Sequence, residues 1–132
     1  MLEQDYNCIN HQIIKCAIEV HKLPGPGLME SVYEVCLCKE LQYIGLDVKR
    51  QKVLPVIYKG YTLNKEFIIE QAVKNEIIIE LKSVEGILPV HEAQLVTYLK
   101  LSEKKLRLLI NFNVSVLKEG VRRKINGNLN YK

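Results

Sequence analysis

Three observations predict an α/β fold in which helices flank a mixed β-sheet. Two segments with helical apolar spacing come first, and three segments rich in β-branched residues follow. A further helical segment then separates these strands from a last apolar strand. A meander followed by a crossover of this length gives strand neighbours of both orientations. We therefore predict one domain over residues 1–132, with the order ααβββαβ and a short final strand.

The composition is ordinary for a globular chain. Of the 132 residues, 48% are hydrophobic and 26% are charged, which is enough for the core of one domain. No stretch has the length of a membrane span, and the N-terminal residues lack the basic and apolar regions of a signal peptide. We expect a cytoplasmic protein that does not enter a membrane. The net charge of +4 permits a polyanionic partner without requiring one.

The cysteines do not have the spacing of a metal or disulfide framework. None of them forms a C-x-x-C pair, and all of them fall in predicted helices. We predict small, reduced and buried thiols at Cys8, Cys16, Cys36 and Cys38.

The two N-terminal helices are predicted from apolar spacing and from helix-stop residues. Residues 8–22 form the first, with a cap near Asp5 or Asn7. A Pro-Gly-Pro-Gly sequence then prevents continuation. The second helix is predicted at about Leu28–Ile44, with Gly45 as its C-terminal cap.

The predicted sheet begins at Leu46. The first strand reaches Tyr58, and Pro55 indicates an edge strand or a bulge. A hairpin turn at Lys59-Gly60 leads to the returning strand, and Asn75 takes a positive φ in the next turn. The remaining predicted elements are strands and one helix: the return strand Tyr61–Val73, a strand at Ile77–Val84, a helix at Val90–Leu101, a strand at Lys105–Phe112 and an edge strand at Val121–Ile125.

Two charges interrupt the apolar strand Ile77–Val84. Glu80 and Lys82 are two residues apart, so their side chains lie on one face of the strand. Burial of two charges costs several kcal/mol unless they are paired, solvated or metal-bound. A catalytic pair is one interpretation, and a solvated pair on an exposed face is the alternative.

A second carboxylate is predicted to lie opposite Glu80. Glu70 is ten positions earlier and the intervening turn centres on Asn75, so antiparallel pairing places the two glutamates nearly opposite each other. Like charges at that distance destabilise a sheet unless a carboxyl is protonated or a cation lies between them. Hard divalent cations take such oxygen ligands, and Lys82 could orient a water or neutralise charge on a phosphate.

Two helix faces carry further polar residues. On the second predicted helix Glu30, Tyr33 and Glu34 share a face, although the helix dipole alone favours Glu30 at that position. A polar stripe on the third predicted helix either lines a cleft and contacts a phosphate backbone, or is only the solvated side of that helix. It is formed by His91, Gln94 and Tyr98.

These residues occur in motifs that resemble a known family. The segment Gly27–Tyr33 matches the G-x-x-E-x-x-Y signature of the GxxExxY protein family, which is grouped with the PD-(D/E)XK nuclease superfamily. Gln94–Tyr98 also resembles the Q-x-x-x-Y element of RecB-type nucleases. The likeness covers about residues 10–125 and continues through Val56–Gly60, Glu80–Lys82, Val90–Gln94 and Leu109–Asn113.

The resemblance implies a restriction-endonuclease-like α-β-β-β-α-β core that uses Mg²⁺ or Mn²⁺ to hydrolyse phosphodiester bonds. By position, Glu80 and Glu70 are implied metal ligands, Lys82 the catalytic lysine and Glu30 a further ligand from a helix. Gln94 is implied to support the catalytic group. The implied substrate contacts are His91, Tyr98 and Tyr33.

One position departs from the superfamily pattern. Ile69-Glu70 stands where Pro-Asp or Ala-Asp is expected, and the extra methylene displaces the carboxylate unless the backbone compensates. This difference bears on catalytic efficiency more than on metal binding.

The leading functional prediction is a metal-dependent nuclease, with DNA as the favoured substrate. The alternative is a catalytically degenerate module on the same fold that binds nucleic acid, supported by basic residues such as Arg122, Arg123 and Lys124. A third hypothesis is an assembly subunit whose active face is closed by a partner protein or by a second copy in a homodimer.

Overall fold

The α/β class with a mixed sheet and flanking helices is confirmed. The computed structural model describes residues 1–94, 104 and 106–125, and of residues 64–67 it describes the backbone alone. Residues 89–94 are helical, and the rest of the predicted third helix lies outside the described residues. The elements are α1 (Glu3–Lys22), α2 (Glu30–Tyr43), β1 (Val48–Tyr58), β2 (Tyr61–Val73), β3 (Ile77–Lys82), β4 (Leu106–Asn111), a 3-10 helix (Leu117–Gly120) and β5 (Val121–Ile125).

The described strands form one sheet in the order β1-β2-β3-β4-β5. Neighbouring strands are antiparallel except for β3 and β4, which are parallel. The predicted crossover between β3 and β4 is therefore confirmed. Since these two strands lie in the interior of the sheet, their near-continuous apolar sequences are explained by burial on both faces.

The helices α1 and α2 cover one face of the sheet. Ile79 and Leu81 of β3 point into the core between that face and the two helices. Ile78 lies on the opposite face and packs with Ala72 of β2. The alternation of side chains then places Glu80 and Lys82 on the same face as Ile78, away from the main core.

The second face of the sheet lies near the described turn of the third helix. Glu92 in residues 89–94 forms an ion pair with Lys124 of β5, at 3.5 Å. Lys124 is paired with Arg107 of β4, so both side chains share a face. The face that carries Glu80 therefore meets the start of this helix.

The first helix begins earlier than predicted. It starts at Glu3 instead of residue 8, because the Asp5 carboxylate accepts the Leu2 backbone N–H at 2.9 Å. Tyr6 and Ile9 extend the buried stripe of α1 towards its N-terminus. Asp5 does stabilise the helix start, but from a position inside the first turn.

The predicted turns are confirmed by the backbone. Gly45 has φ +89°, and its N–H donates to the Gln42 carbonyl while the Leu46 N–H donates to the Leu41 carbonyl, as in a Schellman cap. The hairpin between β1 and β2 has positive φ at Lys59 and Gly60. In the next turn Asn75 has φ +55° and Lys74 has φ +52°.

Strand β1 is an edge strand with a register shift between Pro55 and Ile57, in agreement with both interpretations of Pro55. The four cysteines are free, but only Cys16 and Cys38 are buried; Cys8 is exposed and Cys36 is partly exposed, so the prediction of burial is wrong for these two. Within the part of the chain described here, none of the helices combines the length and apolar character that a bilayer crossing requires.

Candidate active site

Both strand ladders are interrupted at Glu70. Strands β2 and β3 pair from Val73↔Ile77 to Gln71↔Ile79, and one further step of this register places Glu70 opposite Glu80, as predicted. Ladder pairing stops before that step. The Glu70 carboxylate instead accepts the backbone N–H of Leu81 at 3.0 Å. The strands therefore open at the position where the two glutamates meet.

The same interruption occurs on the other side of β2. The β1–β2 register pairs Arg50 with Gln71 and Lys52 with Ile69, but leaves out the intervening pair of Gln51 and Glu70. Gln51 has φ +52°, an unusual backbone conformation for a residue with a side chain. This distortion of β1 explains how Glu70 leaves the regular sheet.

Glu80 is buried between two cations. Its side chain is 9% exposed, and its carboxylate lies 3.2 Å from the Arg107 Nη2 and 3.9 Å from the Lys82 Nζ. Arg107 is on β4 and its side chain is 2% exposed. The two positive charges offset the cost of burying Glu80. Arg107 was not predicted as a site residue, and its only signal in the sequence is a lone charge within the apolar strand Leu106–Asn111.

Glu70 has a different electrostatic environment. Burial raises the pKa of its carboxyl from 4.5 to about 7. The Leu81 N–H opposes this rise, the charges of Glu80 and Glu30 add to it, and the Lys82 ammonium lowers it again. The predicted site residues Glu30, Glu80 and Lys82 therefore all act electrostatically on Glu70.

Glu30 is tied to the end of β3 from the first turn of α2. Its carboxylate accepts the backbone N–H of Ser83 at 3.3 Å. The Ser83 hydroxyl in turn donates to the Leu28 carbonyl at 2.7 Å, just before the helix. These two bonds fix the start of α2 against the strand that carries Glu80 and Lys82.

Tyr33 has a structural environment. Its side chain is fully buried and its ring stacks on Phe112 with centroids 4.4 Å apart. Its hydroxyl donates to the Gly25 carbonyl and accepts the Leu28 N–H. A buried ring whose hydroxyl already has two partners offers little to a substrate, so this placement does not favour the predicted substrate contact.

The polar stripe of the third helix is only partly described. The Nδ1 atom of His91 accepts the Leu88 N–H at 3.0 Å, which stabilises the start of the helix. Gln94 is exposed. Tyr98 lies outside the described residues, and the predicted roles of all three remain predictions.

A cleft of about 400 Å³ opens beside Glu70. It runs between α2 and the distorted part of β1 and β2. Its lining includes residues that the sequence analysis did not connect with the site, namely Arg50 and Gln51. The full lining is Glu30, Ser31, Glu34, Val35, Arg50, Gln51, Ile68 and Glu70.

A comparison of the sequence with protein-family models gives a match over most of the chain. The model of the PD-(D/E)XK nuclease superfamily matches residues 7–124. The chain belongs to the PD-(D/E)XK nuclease superfamily. Comparisons with curated proteins and with solved structures gave no match.

Membership of the PD-(D/E)XK superfamily indicates a nuclease function and a nucleic-acid substrate. Nucleases of this superfamily usually use divalent metals. The matching model is that of the whole superfamily, so the narrower assignment to the GxxExxY family remains a prediction.

The two carboxylates of the candidate site, Glu70 and Glu80, are the type of donor that a hard cation takes. Among the described residues, no three His, Cys, Asp or Glu side chains are grouped closely enough to hold one ion. Mg²⁺, however, typically uses one or two carboxylates and completes its shell with water and phosphate. Glu70 has a carboxyl whose charge is disfavoured by burial and by Glu80, and a divalent cation would relieve both effects. The residues therefore fit Mg²⁺ or Mn²⁺.

Proposed function

We propose that this chain is a metal-dependent nuclease that hydrolyses phosphodiester bonds, with DNA as its substrate. The observation that carries the proposal is that Glu70 and Glu80 come opposite each other where the β2–β3 pairing ends and the Leu81 N–H donates to Glu70. Lys82 lies beside Glu80, and Glu30 lines the same cleft as Glu70. The charges of Glu30, Glu80 and Lys82 also act on the Glu70 carboxyl. A purely structural sheet has no need of this partly buried carboxylate.

The proposed roles follow from the placement of each group. Glu70 and Glu80 hold Mg²⁺ or Mn²⁺, while Glu30 lines the cleft beside Glu70 from the start of α2 and acts on that carboxyl through its charge. The bound metal supplies Lewis-acid stabilisation of charge on the phosphate. Lys82 is 20% exposed and therefore reaches solvent beside Glu80. Its ammonium orients the attacking water and neutralises developing negative charge.

The residues around this centre have supporting roles in the proposal. Gln94 supports the catalytic group, and His91 and Tyr98 contact the substrate from the third helix. Tyr33 holds the loop before α2 in place, through its bonds to Gly25 and Leu28. We place the protein in the cytoplasm, as the sequence predicts.

Purified protein incubated with single- and double-stranded DNA and RNA, with Mg²⁺ or Mn²⁺, tests the proposal. Lys82→Ala and Glu80→Gln should each abolish cleavage. Lys118→Ala is the matched control, because Lys118 is an exposed lysine on the 3-10 helix outside the cleft. Absence of cleavage by the parent on every substrate, or cleavage that persists in both site variants, would show that the catalytic proposal is wrong.

A second candidate function is favoured by the glutamate at position 70. If its longer side chain places the carboxylate poorly, the fold binds nucleic acid without hydrolysing it. Salt-sensitive binding without turnover, unaffected by Glu80→Gln, would identify this degenerate module. Glu70→Asp then provides a direct comparison, since cleavage gained by that variant would attribute the lost activity to the extra methylene.

A further inference from the structure

A buried glutamate of α2 holds an arginine of β1 at the cleft. Glu34 is only 4% exposed, although its side chain carries a carboxylate. The Arg50 Nε donates to both Glu34 oxygens, at 3.0 and 2.8 Å, and the Gln51 amide donates to one of them at 3.3 Å. A buried carboxylate with three hydrogen bonds is a rigid anchor for the residues that donate to it.

The anchor uses only part of the arginine. Arg50 carries five N–H donors, and its bonds to Glu34 all come from Nε. No described residue accepts a hydrogen bond from its two terminal amino groups. Its side chain is 44% exposed and lines the cleft together with Glu30 and Glu70. The terminal donors are thus available in the cleft of the candidate active site.

Strand geometry connects this arginine with the catalytic carboxylate. Arg50 is next to Gln51, whose positive φ marks the break in the β1–β2 ladder. Glu70 is the residue on β2 that loses its partner at that break. Since one distortion places both groups in the same cleft, they are positioned relative to each other by the backbone.

We propose that Arg50 binds a phosphate of the nucleic-acid strand that occupies the cleft, adjacent to the phosphate that is hydrolysed. This inference rests on the proposed nuclease function of Glu70, Glu80 and Lys82. A guanidinium presents two parallel donors that match two phosphate oxygens, and immobilisation by Glu34 reduces the entropy lost on binding.

The charges of the cleft specify the kind of ligand. Three carboxylates, from Glu30, Glu34 and Glu70, line it beside the single guanidinium. Such a lining repels an isolated anion but accepts a strand that interacts with a divalent cation at the carboxylates and with Arg50 at the next phosphate. A polyanionic backbone with regular charge spacing has both features.

DNA binding to a cleavage-deficient protein tests the proposal without depending on turnover. Lys82→Ala is the background, and Ca²⁺ replaces Mg²⁺ while anisotropy of a fluorescein-labelled duplex or single strand is measured. Adding Arg50→Gln should weaken binding roughly tenfold. It should also reduce the slope of the logarithm of the binding constant against the logarithm of the salt concentration by about one, which corresponds to one fewer released counterion. Lys118→Gln removes the same charge outside the cleft and should change affinity less than about twofold.

A second variant controls for misfolding. Arg50→Gln alone leaves the Glu34 carboxylate buried without its cation, so the double variant Glu34→Gln/Arg50→Gln removes both charges. Circular dichroism and urea unfolding establish that this variant is folded. The double variant should still bind DNA more weakly than the background, although by less than Arg50→Gln, because it also removes a carboxylate that repels the strand.

Replacement of single phosphates by neutral methylphosphonates locates the contact. One position in the strand should weaken binding to the background protein, and the same replacement should have no further effect when Arg50 is changed to Gln. If the folded double variant binds DNA as tightly as the background and with the same salt dependence, Arg50 is only a structural partner of Glu34 and the inference is wrong. Cleavage assays on the parent protein address the nuclease proposal separately, so failure of either one is distinguishable.

Discussion

Glu70 and Glu80 occupy nearly equivalent positions on neighbouring strands but have opposite surroundings. Glu80 lies within 4 Å of Arg107 and Lys82, and is held as half of a buried ion pair. Glu70 accepts only the Leu81 N–H among the described hydrogen bonds, and its pKa rises to about 7. The fold places two cations beside the Glu80 carboxylate but gives the Glu70 carboxylate a surrounding that disfavours its charge. The second is therefore the group that gains most from a divalent cation.

Removal of Arg107, the buried cation beside Glu80, should have the largest effect on stability. Arg107→Met leaves the Glu80 carboxylate buried with Lys82 as its remaining described cation, and should lower the free energy of unfolding by about 3–5 kcal/mol. Urea unfolding measures the change. In the double variant Glu80→Gln/Arg107→Met most of this loss should be recovered. An equal loss in the double variant would show that Arg107 contributes by packing and not by neutralising Glu80.

Removal of the Glu70 charge should stabilise the protein, in contrast to the loss expected for Arg107→Met, because the charge of Glu70 destabilises the fold. The folded-state pKa of about 7 lies above the unfolded value of 4.5, so the folded protein binds more protons between these pH values. Without metal, stability contributed by Glu70 is present below pH 4.5 and is lost as the pH rises to about 7. Glu70→Gln should therefore stabilise the metal-free protein at pH 8 by roughly 2 kcal/mol, with no gain at pH 4.5.

Thermal unfolding at the two pH values measures this difference, and Glu76→Gln is a control for loss of a glutamate elsewhere on the chain. Glu76 accepts a hydrogen bond from Tyr6 instead of lying in the cleft. If Glu70→Gln destabilises the protein equally at both pH values, the Glu70 carboxyl contributes through its bond to Leu81 and not through its raised pKa.

The strands and the opposed glutamates could be predicted from the sequence because they depend on local rules. The position of Asn75 in its turn fixes the β2–β3 register, and this register brings Glu70 opposite Glu80. Contacts of Arg107 depend on how β4 aligns with β3 across a long crossover, and no local pattern encodes that alignment. The assignment of Arg107 therefore required the structure.

For the helix α2, too, some features could be predicted from the sequence and others required the structure. Its bounds follow from glycines and apolar spacing, and the shared face of Glu30, Tyr33 and Glu34 was correctly identified. The spacing of residues along a helix predicts that they share a face, but it does not predict how far that face is turned towards the core. The rotation buries Tyr33 in the core, buries Glu34 against Arg50 in the wall of the cleft and leaves Glu30 partly exposed in the same cleft, so three residues with one pattern have three different environments.

Metal binding should depend on the same carboxyl titration. Mg²⁺ or Mn²⁺ requires ionised Glu70, so the ion should raise the melting temperature more at pH 8 than at pH 6. At about ten times its Kd the ion stabilises the folded state by about 1.4 kcal/mol. Glu70→Gln should remove most of this gain and its pH dependence. If the ion raises the melting temperature of the parent protein equally at pH 8 and pH 6, metal binding does not depend on the ionisation of Glu70.

The smallest expected effect concerns the loop that positions Glu30. Tyr33→Phe retains the stacking on Phe112 but removes the hydroxyl bonded to Gly25 and Leu28, which should cost about 1 kcal/mol of stability. Because Glu30 contributes to the raised pKa of Glu70, a looser loop should also move the stability transition near pH 7 slightly downward. Urea unfolding across the pH range measures both changes. If Tyr33→Phe instead leaves stability unchanged and raises KM for DNA, its hydroxyl contacts the substrate, and the structural role argued from its burial is wrong.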